Sequence, residues 1–292
     1  MKIAILVGDN PYGTTPIFAK GLAKALRRLD VDVDLHYVGD GHFFHAFYDM
    51  LADPPDLTFS FSDIRGLNWG IPHFTFALDP VYFYRHQKGI LTCVDEEDAK
   101  RAGIPFLPHA YDPMEVEEKE RIYDTVFFGS CFELDFPAHI VKKGERVLHG
   151  ELAEWDDDFL LVDRYVRAVD RIKLCEQFEN LTIWGDGTWK KYIPHAKILP
   201  PIPFEETLKV MSEAKCVLNS SPRIRNGLHE RILYAAHLGC RVVTAENAWT
   251  TGFPQGEWEK AKECSSQVKG EHTWDVRAKQ IMEVINGITS RG

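Results

Sequence analysis

Short apolar runs rich in β-branched residues alternate along the chain with stretches whose apolar positions recur every three or four residues. Residues 3–7 (IAILV) read as a buried strand and lead into a turn-rich loop, Gly8 to Gly13. Pro16 opens a helix through Leu29, with Phe18, Leu22, Ala25, Leu26 and Leu29 on one face. Residues 31–38 alternate as a strand, 43–51 predict a helix, and 57–61, 74–78, 90–94 and 104–107 predict further strands. A charge-dense run with prolines at 108 and 113 then interrupts the pattern, as a linker does, and the alternation restarts. Strands are predicted at 125–128, 181–184, 216–219 and 241–244. Helices are predicted at about 157–178, 204–214, 228–238 (stopped by Gly239) and 274–285.

Strands alternating with helices imply parallel pairing, and two successive arrays imply an α/β protein of two Rossmann-like, doubly wound parallel-sheet domains facing across a cleft. The predicted division is 1–112 for an N-terminal domain, 113–275 for a C-terminal one, and 276–292 for a terminal helix packing back toward the first. Ligands of such sheets bind outside the carboxyl ends of the strands, so the residues just after each strand become the candidates.

Composition narrows the function classes. With 45% hydrophobic and 27% charged residues the chain is of ordinary globular type, and a net charge of −10 disfavours nucleic acid as a partner. The N-terminal apolar run is too short for a signal peptide and no stretch could span a bilayer, so a cytoplasmic protein is expected. The six cysteines carry no CxxC spacing, which argues for reduced, buried thiols and against zinc.

The densest chemistry lies in CVLNSSPRIRNGLHERILYAAHLGCRVVTAEN at 216–247: strand, polar loop, helix, Gly turn, strand, acidic loop. Ser221, Arg223, Arg225, Asn226 and Gly227 precede a helix start, where free N–H groups favour anions and guanidinium groups pair with phosphate oxygens. Solvated loop charges are the plain alternative. Glu246 and Asn247 follow the next strand, where a carboxylate suits a ribose diol or is simply solvated. Gly185 and Asp186 form a tight turn after the 181–184 strand, and Gly129 and Ser130 follow 125–128; each reads equally as phosphate donor or as turn. Asp9 and Asp79 end N-terminal strands and are the candidate bases, with capping as the alternative for both. His109 reads as a hinge histidine or a phosphate contact. His42 and His45 lack the further ligands that a metal would need.

The segment NGLHERILYAAHLGCRVVT at 226–244 resembles the donor-binding segment of GT-B glycosyltransferases, in particular the CgeB-like (spore-maturation-protein-like) branch. FFGS at 127–130, TCVD at 92–95 and PHAYD at 108–112 resemble further stretches of that branch. The resemblance implies a nucleotide-diphosphate-sugar co-substrate bound by the C-terminal domain. It places Glu230 at the donor's ribose or sugar, with a catalytic part, Arg231 by its phosphates, and His229 among the donor-binding residues; a local ion pair on a helix surface is the plain alternative for Glu230 and Arg231. The acceptor, a hydroxyl of unidentified kind, is expected on the N-terminal loops near Asp9. The paired glutamates of many retaining members are absent, since Asn226 and Tyr234 occupy those positions. No Asp-x-Asp motif occurs, so a metal-independent transfer is expected. A nucleotide-sugar epimerase on the same scaffold and a non-catalytic nucleotide-binding protein are the alternatives. Donor sugar, acceptor, stereochemistry and oligomeric state are not legible.

Overall fold

The computed structural model describes residues 1–8, 13–38, 43–62, 70–78, 81–84, 89–115, 117, 119–222, 224–245, 247–250 and 271–289. Among the predicted site residues, Asp9, Asp79, Arg223 and Glu246 lie outside the described residues, as does His42. Contacts divide the chain into two compact units. Unit 1 comprises Met1–Glu115, Asn226–Leu233 and Gln267–Gly292, and unit 2 comprises Val116–Arg225 and Tyr234–Ser266.

Unit 1 is built on a sheet of β1 (Lys2–Val7), β2 (Asp32–Tyr37), β3 (Leu57–Phe61), β4 (His73–Ala77) and β5 (Ile90–Cys93), all parallel, in the order β2-β1-β3-β4-β5. The order reverses direction between β1 and β3, the position at which ligands of such sheets usually bind. Strands β3 and β4 are buried along their whole lengths, as both-faced burial in a parallel sheet requires. Helices α1 (Thr14–Arg27), α2 (Phe43–Ala52) and α3 (Glu96–Ala102) belong to this unit. The expected strand at 104–107 is a single bridge, Cys93 to Phe106. Pro105 has no N–H with which to continue the ladder.

The last helix of the chain, α9 (Trp274–Thr289), packs on α1. Trp274 lies over Gly21, where a Cβ would come within 2.4 Å of the indole. Its ring also meets Phe18, Phe61 and Phe76, and Asp275 accepts a hydrogen bond from Arg28 at 2.8 Å.

Unit 2 carries β6 (Tyr123–Phe128), β7 (Leu181–Trp184), β8 (Lys197–Leu199), β9 (Ala214–Asn219) and β10 (Arg241–Thr244) in the order β10-β9-β6-β7-β8, again all parallel. Its direction reverses between β6 and β9. A helical pair, α4 (Ala138–Leu148) and α5 (Phe159–Cys175), closes on Ile140, Val162, Tyr165 and Val166. The short α6 (Trp189–Tyr192) and α7 (Phe204–Ser212) follow. Helix α8 (Glu230–His237) crosses the division, its first turn counting with unit 1 and its remainder with unit 2. In the predicted linker, Arg121 donates to the carbonyls of Met211, Ala214 and Leu238, which fastens that charged run to unit 2.

Candidate functional site

In unit 1 the site begins at Asp95, which ends the β5 segment as the N-cap of α3. Its Oδ1 accepts the Asp98 N–H at 2.8 Å, and its Oδ2 accepts the Asn226 N–H at 2.8 Å. The Asn226 carbonyl accepts the Glu96 N–H at 2.8 Å, and the Asn226 amide donates to the Glu96 carboxylate at 2.9 Å. A capping carboxylate thus also pins the approach to α8. Gly227 and Leu228 are buried behind this anchor.

The anchored approach delivers His229 and Glu230 to the start of α8. Glu230 Oε2 lies 3.0 Å from His229 Nδ1 and 3.5 Å from His109 Nδ1. The two imidazoles stack at 5.6 Å between centroids and 29° between planes, and Phe18 meets the His109 ring edge-on at 6.3 Å. From α9, the buried Arg277 donates through Nη2 to the His109 carbonyl at 3.1 Å and through Nη1 to Gln280. Nδ1 of His109 and Nε of Arg277 have no hydrogen-bond partner among the described residues.

Burial works against every charge in this cluster. For Glu230 it would raise the carboxyl, but the His229 and His109 imidazoles and the Arg231 guanidinium outweigh it and hold the group below the usual carboxylate range. Burial pushes His109 down to about 4, with Glu230 pulling the other way. Burial lowers Arg231 as well, against Glu230, and lowers Arg277 to about 10. At neutral pH the cluster therefore holds an anionic Glu230, a neutral His109 and two arginines still charged. No carboxylate pairs with Arg277 among the described residues. Burying this many ionisable groups together is costly to the fold, which makes the cluster the candidate site.

The predicted ligand residues of unit 2 are placed differently. Gly129 has a φ of +151°, and its carbonyl accepts the Trp189 Nε1–H at 2.8 Å. A Cβ on Gly185 would sit 2.5 Å from that same carbonyl oxygen. The Asp186 carboxylate accepts the Cys131 and Thr188 N–H groups, both at 3.0 Å. The Ser130 carbonyl accepts from Arg171 at 2.6 Å, and Ser221 Oγ accepts from the Asn219 amide at 2.8 Å. Arg225 donates to the Val147 and Gly150 carbonyls at 2.8 and 3.1 Å, closing the end of α4. Asn247 Oδ1 accepts the N–H groups of Trp249 and Thr250 at 2.8 and 3.0 Å, forming a turn.

The sequence reading passed over Asp95 and Arg277. Asp95 carried a signal, an Asp three residues before Asp98 in an acidic first turn. Arg277 carried a subtler one: it interrupts the apolar face of α9 defined by Trp274, Ala278, Ile281 and Ile285. Among the described residues, no group of His, Cys, Asp and Glu side chains could hold a metal ion, and no helix is long and apolar enough to cross a membrane.

No protein-family model matches the chain, and no curated protein does. Solved structures do match along its whole length. AviGT4, a glycosyltransferase involved in avilamycin A biosynthesis, aligns with a TM-score of 0.60 at 12% identity, covering 100% of this chain and 99% of that one. Sucrose-phosphate synthase from Thermosynechococcus elongatus aligns with a TM-score of 0.57 at 12% identity, covering 100% of both chains. T4 phage BGT, in complex with UDP and Mn2+, aligns with a TM-score of 0.53 at 13% identity, covering 100% of this chain and 96% of that one. At such identities the likeness establishes the fold: two parallel-sheet α/β units matching those of GT-B glycosyltransferases.

Proposed function

We propose that this protein is a glycosyltransferase that moves a sugar from a nucleoside-diphosphate sugar to a hydroxyl acceptor. The observation that carries the reading is the cluster at the start of α8, where Glu230 is held ionised between two imidazoles with Arg231 beside it. A carboxylate there suits the hydroxyls of a ribose or sugar. The Arg231 guanidinium and the positive end of the helix dipole suit a diphosphate. As the bond to the sugar breaks, the diphosphate gains charge, and fixed positive groups lower the barrier without needing to reorganise. In this reading those groups, rather than a metal ion, meet the leaving group, so a chelator leaves turnover unchanged. The CgeB-like branch is the family that the sequence resemblance favours.

The test is a thermal-shift screen of nucleoside diphosphates and their sugars, followed by an assay of donor consumption with and without candidate acceptors. A selective upward shift is expected for one base, as mass action requires. Glu230→Gln should remove most of that shift, since the neutral amide keeps the shape but not the charge. A screen in which nothing shifts the melting temperature sinks the reading. Donor converted to an isomer in the absence of acceptor would make the protein an epimerase instead.

A further inference from the structure

We propose that Asp95 is a positioning residue of the donor site, fixing the start of α8 and with it the place of Glu230. The inference rests on the donor reading above and adds to it the group that holds the carboxylate in place.

A carboxylate that recognises a ligand must stand within about half an ångström of its working position, and its supporting residues have to secure that. Glu230 lies in the first turn of its helix, and helix ends fray. The bonds inside that turn close it without placing it. His229 Nδ1 accepts the Arg231 N–H at 3.2 Å, and the His229 carbonyl accepts the Ile232 N–H at 3.0 Å. Both bonds travel with the helix. The fixed reference has to come from outside it, and it lies at Asn226, with three residues between Asn226 and Glu230.

There the backbone is gripped from both sides. Asp95 Oδ2 accepts the Asn226 N–H, and the Glu96 N–H is donated to the Asn226 carbonyl, each at 2.8 Å. The Asn226 amide adds a bond to the Glu96 carboxylate at 2.9 Å. With the peptide groups flanking Asn226 held, and Leu228 fully buried, the chain has little freedom left before it reaches Glu230. The grip is itself tied to the sheet of unit 1. Asp95 is buried, and its N–H is donated to Sγ of Cys93, the last residue of β5, at 3.3 Å.

The residue type separates this role from capping. An N-cap needs one oxygen, and Asn or Ser caps about as well as Asp. Asp95 spends Oδ1 on that task, through the Asp98 N–H. Its Oδ2 serves a residue 131 positions away along the chain. A carboxylate alone offers a second acceptor there. An amide would set N–H against N–H, and a single hydroxyl would have to abandon one of the two donors.

Two measurements on the full chain test this, using Asp95→Asn and Asp95→Ser, both of which keep a cap for α3. Hydrogen exchange at Asn226, Ile232 and Leu233 should run about tenfold faster in both variants, with β3 and β4 unchanged. Exchange within threefold of wild type at those three amides overturns the hold of Asp95 on α8. The second measurement is affinity by calorimetry for UDP, or for whichever of ADP, GDP, CDP and dTDP the melting screen selects. Asp95→Asn should weaken it about tenfold, the size of one hydrogen bond to a charged group. In the Glu230→Gln background the same substitution should cost about threefold or less, because the group it positions has already lost its charge. An equal tenfold loss in both backgrounds, as general loosening of the fold would give, overturns the positioning of Glu230. Unchanged affinity in Asp95→Asn removes the role of Asp95 alone. A wild-type protein that binds none of these diphosphates removes the donor reading and the role of Asp95 together.

Discussion

At the strand ends of unit 2, the side chains that look most like ligand groups make bonds within the fold. Asp186 closes two backbone N–H groups, Arg225 closes two carbonyls, Asn247 closes its own turn, and Gly185 is small because a carbonyl lies against it. Around Glu230 in unit 1, the partners of the carboxylate are imidazoles that can themselves change protonation state. The sequence nominated both regions, the segment around Glu230 and Arg231 more specifically than the turns at 129–130 and 185–186. The difference teaches that position after a strand nominates a residue, whereas titratable groups gathered around a buried charge make it the stronger candidate for chemistry.

The largest effect expected from this contrast is a response to acid located in unit 1. Burial depresses both His109 and His73 to about 4, the latter held between Thr58 and Ser60. A histidine whose folded-state pKa lies below its unfolded value binds fewer protons when folded. Its contribution is therefore complete above about 6.5 and is lost as pH falls toward 4. Between pH 7.5 and 4.5 the loss is on the order of 2–3 kcal/mol for each histidine. Hydrogen exchange at the two pH values should show unit 1 losing protection, and His109→Gln should remove about half of the loss. A pH-independent unit 1 would break the comparison.

Gly185→Ala comes next. Its Cβ would meet the Gly129 carbonyl oxygen and the Trp189 ring, and overpacking of this kind costs about 2 kcal/mol. The measured outcome is a loss of protection confined to unit 2. Asp186→Ala should cost about 1.5 kcal/mol, because two N–H groups lose their acceptor. The smallest effect is expected for Arg225→Ala, about 1 kcal/mol or less in denaturant unfolding. It also sharpens the comparison: nucleoside-diphosphate affinity by calorimetry should stay within twofold of wild type, whereas a tenfold loss would return Arg225 to the binding site.

The strands were largely legible because β-branched, apolar runs bounded by turn residues have few other uses; β7 and β10 lie where the pattern placed them. Less legible were elements held by polar contacts. Helix α3 has the sequence EEDAKRA, with one buried alanine and no apolar stripe, and it exists through the Asp95 cap and the αL glycine at 103. Helix α4 has the apolar spacing of an amphipathic helix, Ile140, Val141, Val147 and Leu148 on one face, but carries an interior glycine, Gly144, whose place only the packing of Tyr165 against it explains. Of the site, the importance of the 226–231 segment was legible from its composition. Its companions were not: His109 and Arg277 lie more than a hundred and more than forty residues away along the chain, and only folding brings them to Glu230.

The seat of Trp274 over Gly21 sets a timetable for biosynthesis. The notch on α1 leaves the ribosome some 250 residues before the indole that fills it. Throughout that interval the aromatic floor of Phe18, Phe61 and Phe76 lacks its cover, while unit 2, whose strands are all translated before α9, can already condense. Chains stalled or truncated ahead of residue 274 should therefore be the species that chaperones hold and that aggregate when chaperones are scarce.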